Sequence, residues 1–264
     1  MFPALTDIIG AIPYRLALAG GWIDQPFISK LNPDPTGSIV VVNVQPTFRF
    51  MERSGLATGT RRAVLRLWKN GLPAGDPMDL MKQLYDFENQ NQPEPSGSQD
   101  MIGLLCPGIH RLDYDANFQG GVFPVHIESR IDSDISHWLE NVIHILPVEP
   151  RPPGYSPLGV KNLDPQWIRK LGRSGRDCYD AIIAKDISAL AASLNLCMAC
   201  WESLLPHTVR HPALTVDLPA LLKHYQSIYP GAMYSGCGGG YLYVVSEEPV
   251  PGSFHARIRT RGPE

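Results

Sequence analysis

The stretch Met233-Tyr-Ser-Gly-Cys-Gly-Gly-Gly-Tyr-Leu-Tyr-Val-Val-Ser-Glu247 carries four glycines in five positions, Gly236 and Gly238 to Gly240, and runs straight into an alternating apolar strand. Glycine adopts positive φ at little steric cost and lets one backbone approach another surface closely. A dinucleotide-binding turn or a Walker loop would hand such a run to a helix; here a strand follows, so neither motif applies. The spelling suits a tight packing turn and a ligand cradle equally, and its company along the chain has to separate the two.

At 264 residues the chain is long enough for two modest cores or one large one. Its 44% hydrophobic and 19% charged residues are ordinary for a soluble globular protein. A net charge of −3 leaves no electrostatic footprint for nucleic acid or an anionic membrane. The five cysteines show no disulfide spacing. Met1 to Gly20 lacks a basic start and an uninterrupted apolar core, so no signal peptide is expected, and no apolar run approaches a membrane span. The expectation is a cytoplasmic protein with no nucleic-acid or membrane partner; a homodimer stays open.

Upstream, Arg15 to Ala19 alternates like a strand that Gly20-Gly21 breaks, and Asp24 follows the break. That carboxylate suits a cleft, or a turn in which it caps its own backbone. Ile39 to Val44 reads as a second strand. Ser54-Gly-Leu-Ala-Thr-Gly-Thr-Arg-Arg-Ala63 then leads into a helical apolar pattern through Val64, Leu65, Leu67 and Trp68. A loop of this kind at a helix start offers unpaired N–H groups and the positive dipole end, which suits phosphate. Arg61 and Arg62 oppose the dipole there by about 0.3–1 kcal/mol, a local conflict that an anion would resolve. A threonine-capped surface helix explains the same residues without chemistry.

Pro77 to Asn89 has helical spacing, ending near Glu88, and Asn89 to Ser98 is a polar loop. Asp100 lies between that loop and the apolar run Met101 to Leu105, a placement that fits a partly desolvated base or a helix cap. Arg111 to His126 reads as strand, turn and strand around Gly120-Gly121; Ile135 to Leu146 is helical or mixed. His137 and His144 read as structural, and Cys197 and Cys200 as buried small hydrophobes, since no second convergent pair completes a zinc site. Glu149 to Pro157, with four prolines, reads as a linker. Helices are expected over Trp167 to Cys178, Asp186 to Leu205 and Val216 to Tyr229, and strands around Tyr241 to Ser246 and Phe254 to Arg259.

Three stretches taken together resemble the motifs of the GHMP kinase superfamily, and within it the heptose-phosphate, fucose and galactokinase-like sugar kinases. Tyr14-Arg-Leu-Ala-Leu-Ala-Gly-Gly-Trp-Ile-Asp-Gln-Pro26 resembles the first motif, Pro95-Ser-Gly-Ser-Gln-Asp100 the stretch carrying the catalytic aspartate, and Gly231 to Gly240 the third motif. The resemblance implies an α+β fold in two lobes: an abbreviated ribosomal-S5-domain-2-like N-terminal lobe over 1–148 and a ferredoxin-like C-terminal lobe over 149–264. It implies ATP- and Mg²⁺-dependent transfer of a phosphoryl group to a hydroxyl of a sugar, sugar phosphate or polyol.

By the same resemblance, Asp100 would act as base with Arg15 reaching it, and Gly21, Trp22, Asp24, Ser98 and Gln99 would bind substrate. Gly55, Thr58, Gly59, Thr60, Arg61, Arg62, Ser235, Gly236, Gly238 and Gly239 would bind the nucleotide's phosphates, and Glu88 and Thr60 the Mg²⁺. The second motif departs from the family's spelling: Gly59 stands where a metal-binding serine is usual, an arginine pair follows, and only about ten residues separate Val44 from Gly55. These departures admit two alternatives, a degenerate pseudokinase that binds a sugar phosphate or nucleotide, and an enzyme of the same fold with other chemistry on an anionic substrate.

Overall fold

The computed structural model describes residues 12–47, 49–92 and 95–260. Strands β1 (Tyr14–Ala17) and β2 (Gly37–Val44) pair antiparallel with Tyr14 opposite Val44. A short helix, α1 (Pro26–Ser29), lies in the connection between them. β3 (Ile109–Tyr114) pairs with β2, and β4 (His126–Arg130) with β3, giving a four-stranded antiparallel sheet in the order β1-β2-β3-β4. Every residue of β2 is buried, which suits its β-branched run Ile39 to Val42.

Between β2 and β3 come α2 (Thr58–Leu67), α3 (Pro77–Asn89) and α4 (Gln99–Leu105). The run Met101 to Leu105 is therefore helix, and it packs on β2 where the Asn43 amide donates to the carbonyls of Gly103 and Leu104. α5 (Ser133–Val142) leads directly into β5 (Ile143–Pro147), which accounts for the mixed periodicity there. The second strand expected before His126 instead begins at that residue, because Gln119–Gly121 forms a 3₁₀ turn.

α6 (Pro165–Ala184) and α7 (Ile187–Leu204) form a helical hairpin; α6 lies on β2 and α7 on β6 (Gly231–Gly236). α8 (Leu218–Ile228) precedes β6, and β7 (Gly239–Val245) sits between β5 and β6 in a second antiparallel sheet. The close approach of α6 requires glycine: a Cβ on Gly175 would lie 1.9 Å from the Ser38 carbonyl oxygen. The second sheet thus takes β5 from ahead of residue 149, and a helix from beyond 149 covers the first. The chain beyond β7 forms isolated bridges at Phe254 and Ile258 in place of the expected strand, and these tie back to β5 and β2.

α7 is long and apolar enough to cross a membrane by length and composition, which corrects the expectation that no run approaches a span. Half of it is buried within this fold. Cys197 and Cys200 on α7 are buried as small hydrophobes, and the Cys197 sulfur accepts from the Gly20 N–H.

Aspartates cap most of the helices. Asp76, Asp132, Asp164, Asp186 and Asp217 accept backbone N–H bonds at the starts of α3, α5, α6, α7 and α8. α2 and α4 carry no capping side chain. Residues of both of those starts line one cleft.

Candidate active site

The cleft has a volume of about 520 Å³. One wall is the glycine hairpin. A Cβ on Gly236 would lie 2.6 Å from the Gly55 Cα, so β6 and the loop before α2 touch backbone to backbone. The Ser235 hydroxyl donates to the Ser54 carbonyl at 2.6 Å and fastens the same junction. The glycine run is therefore a packing turn that shapes a cleft, and the two readings of its spelling meet. Ser235 and Gly236 face the cleft; Gly238 and Gly239 form the hairpin tip, packed on Tyr155, Leu218 and the Glu149 carbonyl, and do not line it.

α2 begins at Ala57, whose φ of 55° is left-handed and turns the chain abruptly into the helix. With no capping side chain, the first N–H groups of α2 stay open where Thr58, Gly59 and Thr60 line the cleft. Arg62 also lines it, ion-paired to Glu52 at 3.4 Å. Arg61 does not reach the cleft. Its guanidinium lies 3.6 Å over the Tyr14 ring and donates to the Ile12 and Pro13 carbonyls. The two arginines point about 100° apart on the helix, and Arg62 is the one that faces the cleft.

The chemical centre is a set of three carboxylates and one arginine. Arg15 on β1 forms an ion pair with Asp100 in the first turn of α4 and donates to the Gly55 carbonyl at 3.2 Å. The Thr60 hydroxyl lies 3.0 Å from Glu88 Oε1 and 3.4 Å from Asp100 Oδ2, bridging the two acids. Asp24 is 1% exposed; its Oδ1 accepts from the Gln99 amide at 3.4 Å, and its Oδ2 has no partner. Burial, and after it the charge of Asp100, pushes Asp24 up to about 7 and Glu88 likewise to about 7. Ser98 stays out of the cleft, buried and bonded to the Tyr114 hydroxyl and the Val122 carbonyl.

Gly21 and Trp22 also line the cleft. Trp22 holds φ at 87°, a strained conformation for a bulky residue that costs on the order of 1–3 kcal/mol. The Trp201 indole N–H holds the turn by donating to the Gly21 carbonyl at 3.1 Å.

The sequence reading did not single out Arg53, Arg151 or Tyr155, all of which line the cleft with Trp201. Arg151 and Tyr155 belong to the proline-rich stretch read as a linker. It has no regular secondary structure, but it is tied down: the Arg151 N–H donates to the Arg53 carbonyl and the Tyr155 hydroxyl to the His207 carbonyl.

No protein-family model and no curated protein matches the chain. Solved structures do match. They include a D-glycero-D-manno-heptose 1-phosphate kinase from Bacteroides thetaiotaomicron, at TM-score 0.53 and 13% identity over 89% of this chain and 87% of that one. Galactokinase from Lactococcus lactis, complexed with galactose, matches at TM-score 0.55 and 12% identity over 94% and 92%. Mevalonate diphosphate decarboxylase from Staphylococcus aureus matches at TM-score 0.53 and 10% identity over 95% and 96%. At such identities the likeness is one of fold, and the chain has the two-sheet α+β fold of the GHMP kinases.

Proposed function

We propose that the chain is an ATP- and Mg²⁺-dependent kinase that transfers the γ-phosphoryl group to a hydroxyl of a sugar or other small polyol. One observation carries this reading: the Arg15–Asp100 pair meets the Thr60 hydroxyl at the uncapped start of α2. Phosphoryl transfer asks a protein chiefly for positioning and charge stabilisation, and those parts converge here.

The residues have separable tasks. The open N–H groups of α2 receive phosphate oxygens, helped by the dipole. Asp100, fixed through Oδ1 by Arg15, keeps Oδ2 toward the cleft to take the acceptor's proton. Asp24 Oδ2, buried and unpartnered, accepts a hydrogen bond from an acceptor hydroxyl.

Mg²⁺ prefers oxygen ligands and is commonly held by one or two carboxylates together with substrate phosphates. Glu88, with a buried unpartnered Oε2, and the Thr60 hydroxyl fit that donor set. The bound ion supplies neutralisation of the polyphosphate's charge.

A second reading, nucleotide binding without turnover, draws on the short link between β2 and α2. Its Phe50 is buried against Tyr14 and Tyr241, so that part of the link fills the core. Thermal denaturation with and without Mg·ATP, followed by radiolabelled γ-phosphoryl transfer to a panel of sugars, separates the two. Stabilisation with transfer supports the kinase, and stabilisation without transfer supports the second reading. No response to any nucleotide rejects both.

A further inference from the structure

Four arginines and three carboxylates line the cleft: Arg15, Arg53, Arg62 and Arg151 against Asp24, Glu88 and Asp100. Arg15 is paired with Asp100 and Arg62 with Glu52. That leaves two guanidinium groups without a carboxylate partner among the described residues. Among the described residues the Arg53 guanidinium donates only to the Pro152 carbonyl, at 2.7 Å. The Arg151 side chain makes no hydrogen bond, and its Nε is buried without a partner.

Their position is built. The Arg151 N–H donates to the Arg53 carbonyl at 3.1 Å while Arg53 Nη2 donates to Pro152, so the two backbones are stapled side by side. A Cβ on Gly236 would lie 3.2 Å from Arg151 Nη2, and one on Gly238 would lie 3.1 Å from its Cγ. The side chain therefore lies along the glycine hairpin, where even a Cβ would crowd it. It acts on the Cys237 thiol, which burial raises to about 11 and Arg151 pulls back. Both Arg151 and Cys237 line the cleft.

An unpaired guanidinium whose Nε has lost water without gaining an acceptor is unfavourable until an anion arrives. Arg151 is such a group, and the exposed Arg53, stapled to it through the backbone, adds a second positive charge. Together they match the charge of one phosphate monoester, about −1.5 to −2 at neutral pH, and the planar fork suits its oxygens. We propose that the acceptor is itself a phosphorylated polyol, and that Arg151 with Arg53 forms the subsite for the phosphate it already carries. This deepens the kinase reading and rests on it for the word acceptor; the phosphate subsite itself does not depend on turnover. The polyphosphate of the donor has its own place at the start of α2, beside Arg62 and Thr60.

Calorimetric titration of the full chain with inorganic phosphate tests this, in wild type, Arg151→Ala and Arg53→Ala, each also titrated with Mg·ATP. The wild type should bind phosphate, and still do so when saturated with a non-hydrolysable Mg·ATP analogue. Each variant should bind phosphate at least tenfold more weakly and Mg·ATP within twofold of wild type. Arg151→Lys, which keeps the charge and loses the fork, should fall between. The proposal is overturned if the wild type fails to bind phosphate or Arg151→Ala binds it unchanged. It is also overturned if Arg151→Ala weakens Mg·ATP as much as phosphate, since the arginines then serve the donor. Arginine-dependent phosphate binding in a chain that binds no nucleotide would remove the kinase reading and leave the subsite standing.

Discussion

Arg15 on the first strand and Asp100 in the first turn of α4, 85 positions apart in the chain, form an ion pair in the wall of the cleft. The glycine at position 103 makes room for it: a Cβ there would lie 2.0 Å from the Arg15 Cγ. The pair leaves one Asp100 oxygen directed at Thr60. Most expectations about turnover follow from that free oxygen.

Asp100→Asn keeps the shape and removes the proton acceptor. Turnover should fall by on the order of 10²–10⁴ while substrate affinity stays nearly the same. Steady-state kinetics beside equilibrium binding measure both, and an unaltered kcat would take the role of base away from Asp100.

The Thr60 hydroxyl joins Glu88 to Asp100, so it organises the proposed cation site. Thr60→Ala and Glu88→Gln should each weaken Mg²⁺-dependent nucleotide binding by about 10–100-fold, with little effect on metal-free binding. Calorimetry at varied Mg²⁺ checks this; identical Mg²⁺ dependence in both variants would remove the assignment.

Gly97 has no room for a side chain, because a Cβ there would lie 1.5 Å from Asp24 Oδ2. Asp24 is buried and cannot step aside without carrying the turn after β1 with it. Gly97→Ala should destabilise the chain by about 1–3 kcal/mol and raise KM for the acceptor. Denaturant unfolding and kinetics read the two effects separately. A variant as stable and as active as wild type would mean that Asp24 does not hold the position described.

Asp24 and Glu88 are both raised to about 7, chiefly by burial. An acid whose pKa is raised on folding binds its proton more tightly in the native state. Its contribution is full below the unfolded value and is lost as pH climbs through the folded one, here between about pH 4 and 7. Asp24→Asn stays neutral and escapes that loss. Its Tm relative to wild type should therefore rise as pH increases from about 5 to about 8. A difference that is flat, or that runs the other way, would show that Asp24 ionises in the fold as freely as in the unfolded chain.

Much of the fold was legible because its signals are local. The β-branched run of β2, the period of α6 to α8 and the alternation of β7 each depend on near neighbours. One boundary shifted where a helix hands over to a strand without a turn, at Val142 and Ile143, and another where a 3₁₀ turn at Gln119–Gly121 delays the strand to His126. The end of the chain alternates like a strand yet makes only single bridges, because pairing needs a partner edge as well as a pattern.

In the site, Arg15, Asp24, Gly55, Thr60, Glu88, Asp100 and Gly236 all line one cleft. Arg61, Ser98, Gly238 and Gly239 lie elsewhere, each displaced by packing that spelling does not encode. Arg61 turns onto Tyr14, Ser98 bonds to Tyr114, and the glycine pair closes a hairpin tip.

Which residue types were available, and where the backbone must bend, could be read along the chain, because helix periods, strand alternation and positive-φ glycines act over a few residues. Which charges meet was settled by folding. Arg15 finds Asp100, Arg53 is stapled beside Arg151, and Arg61 is withdrawn while Arg62 stays. The reason is physical: the cost of an unpaired charge is set by what burial brings against it across the fold, and neighbours along the chain carry no record of that.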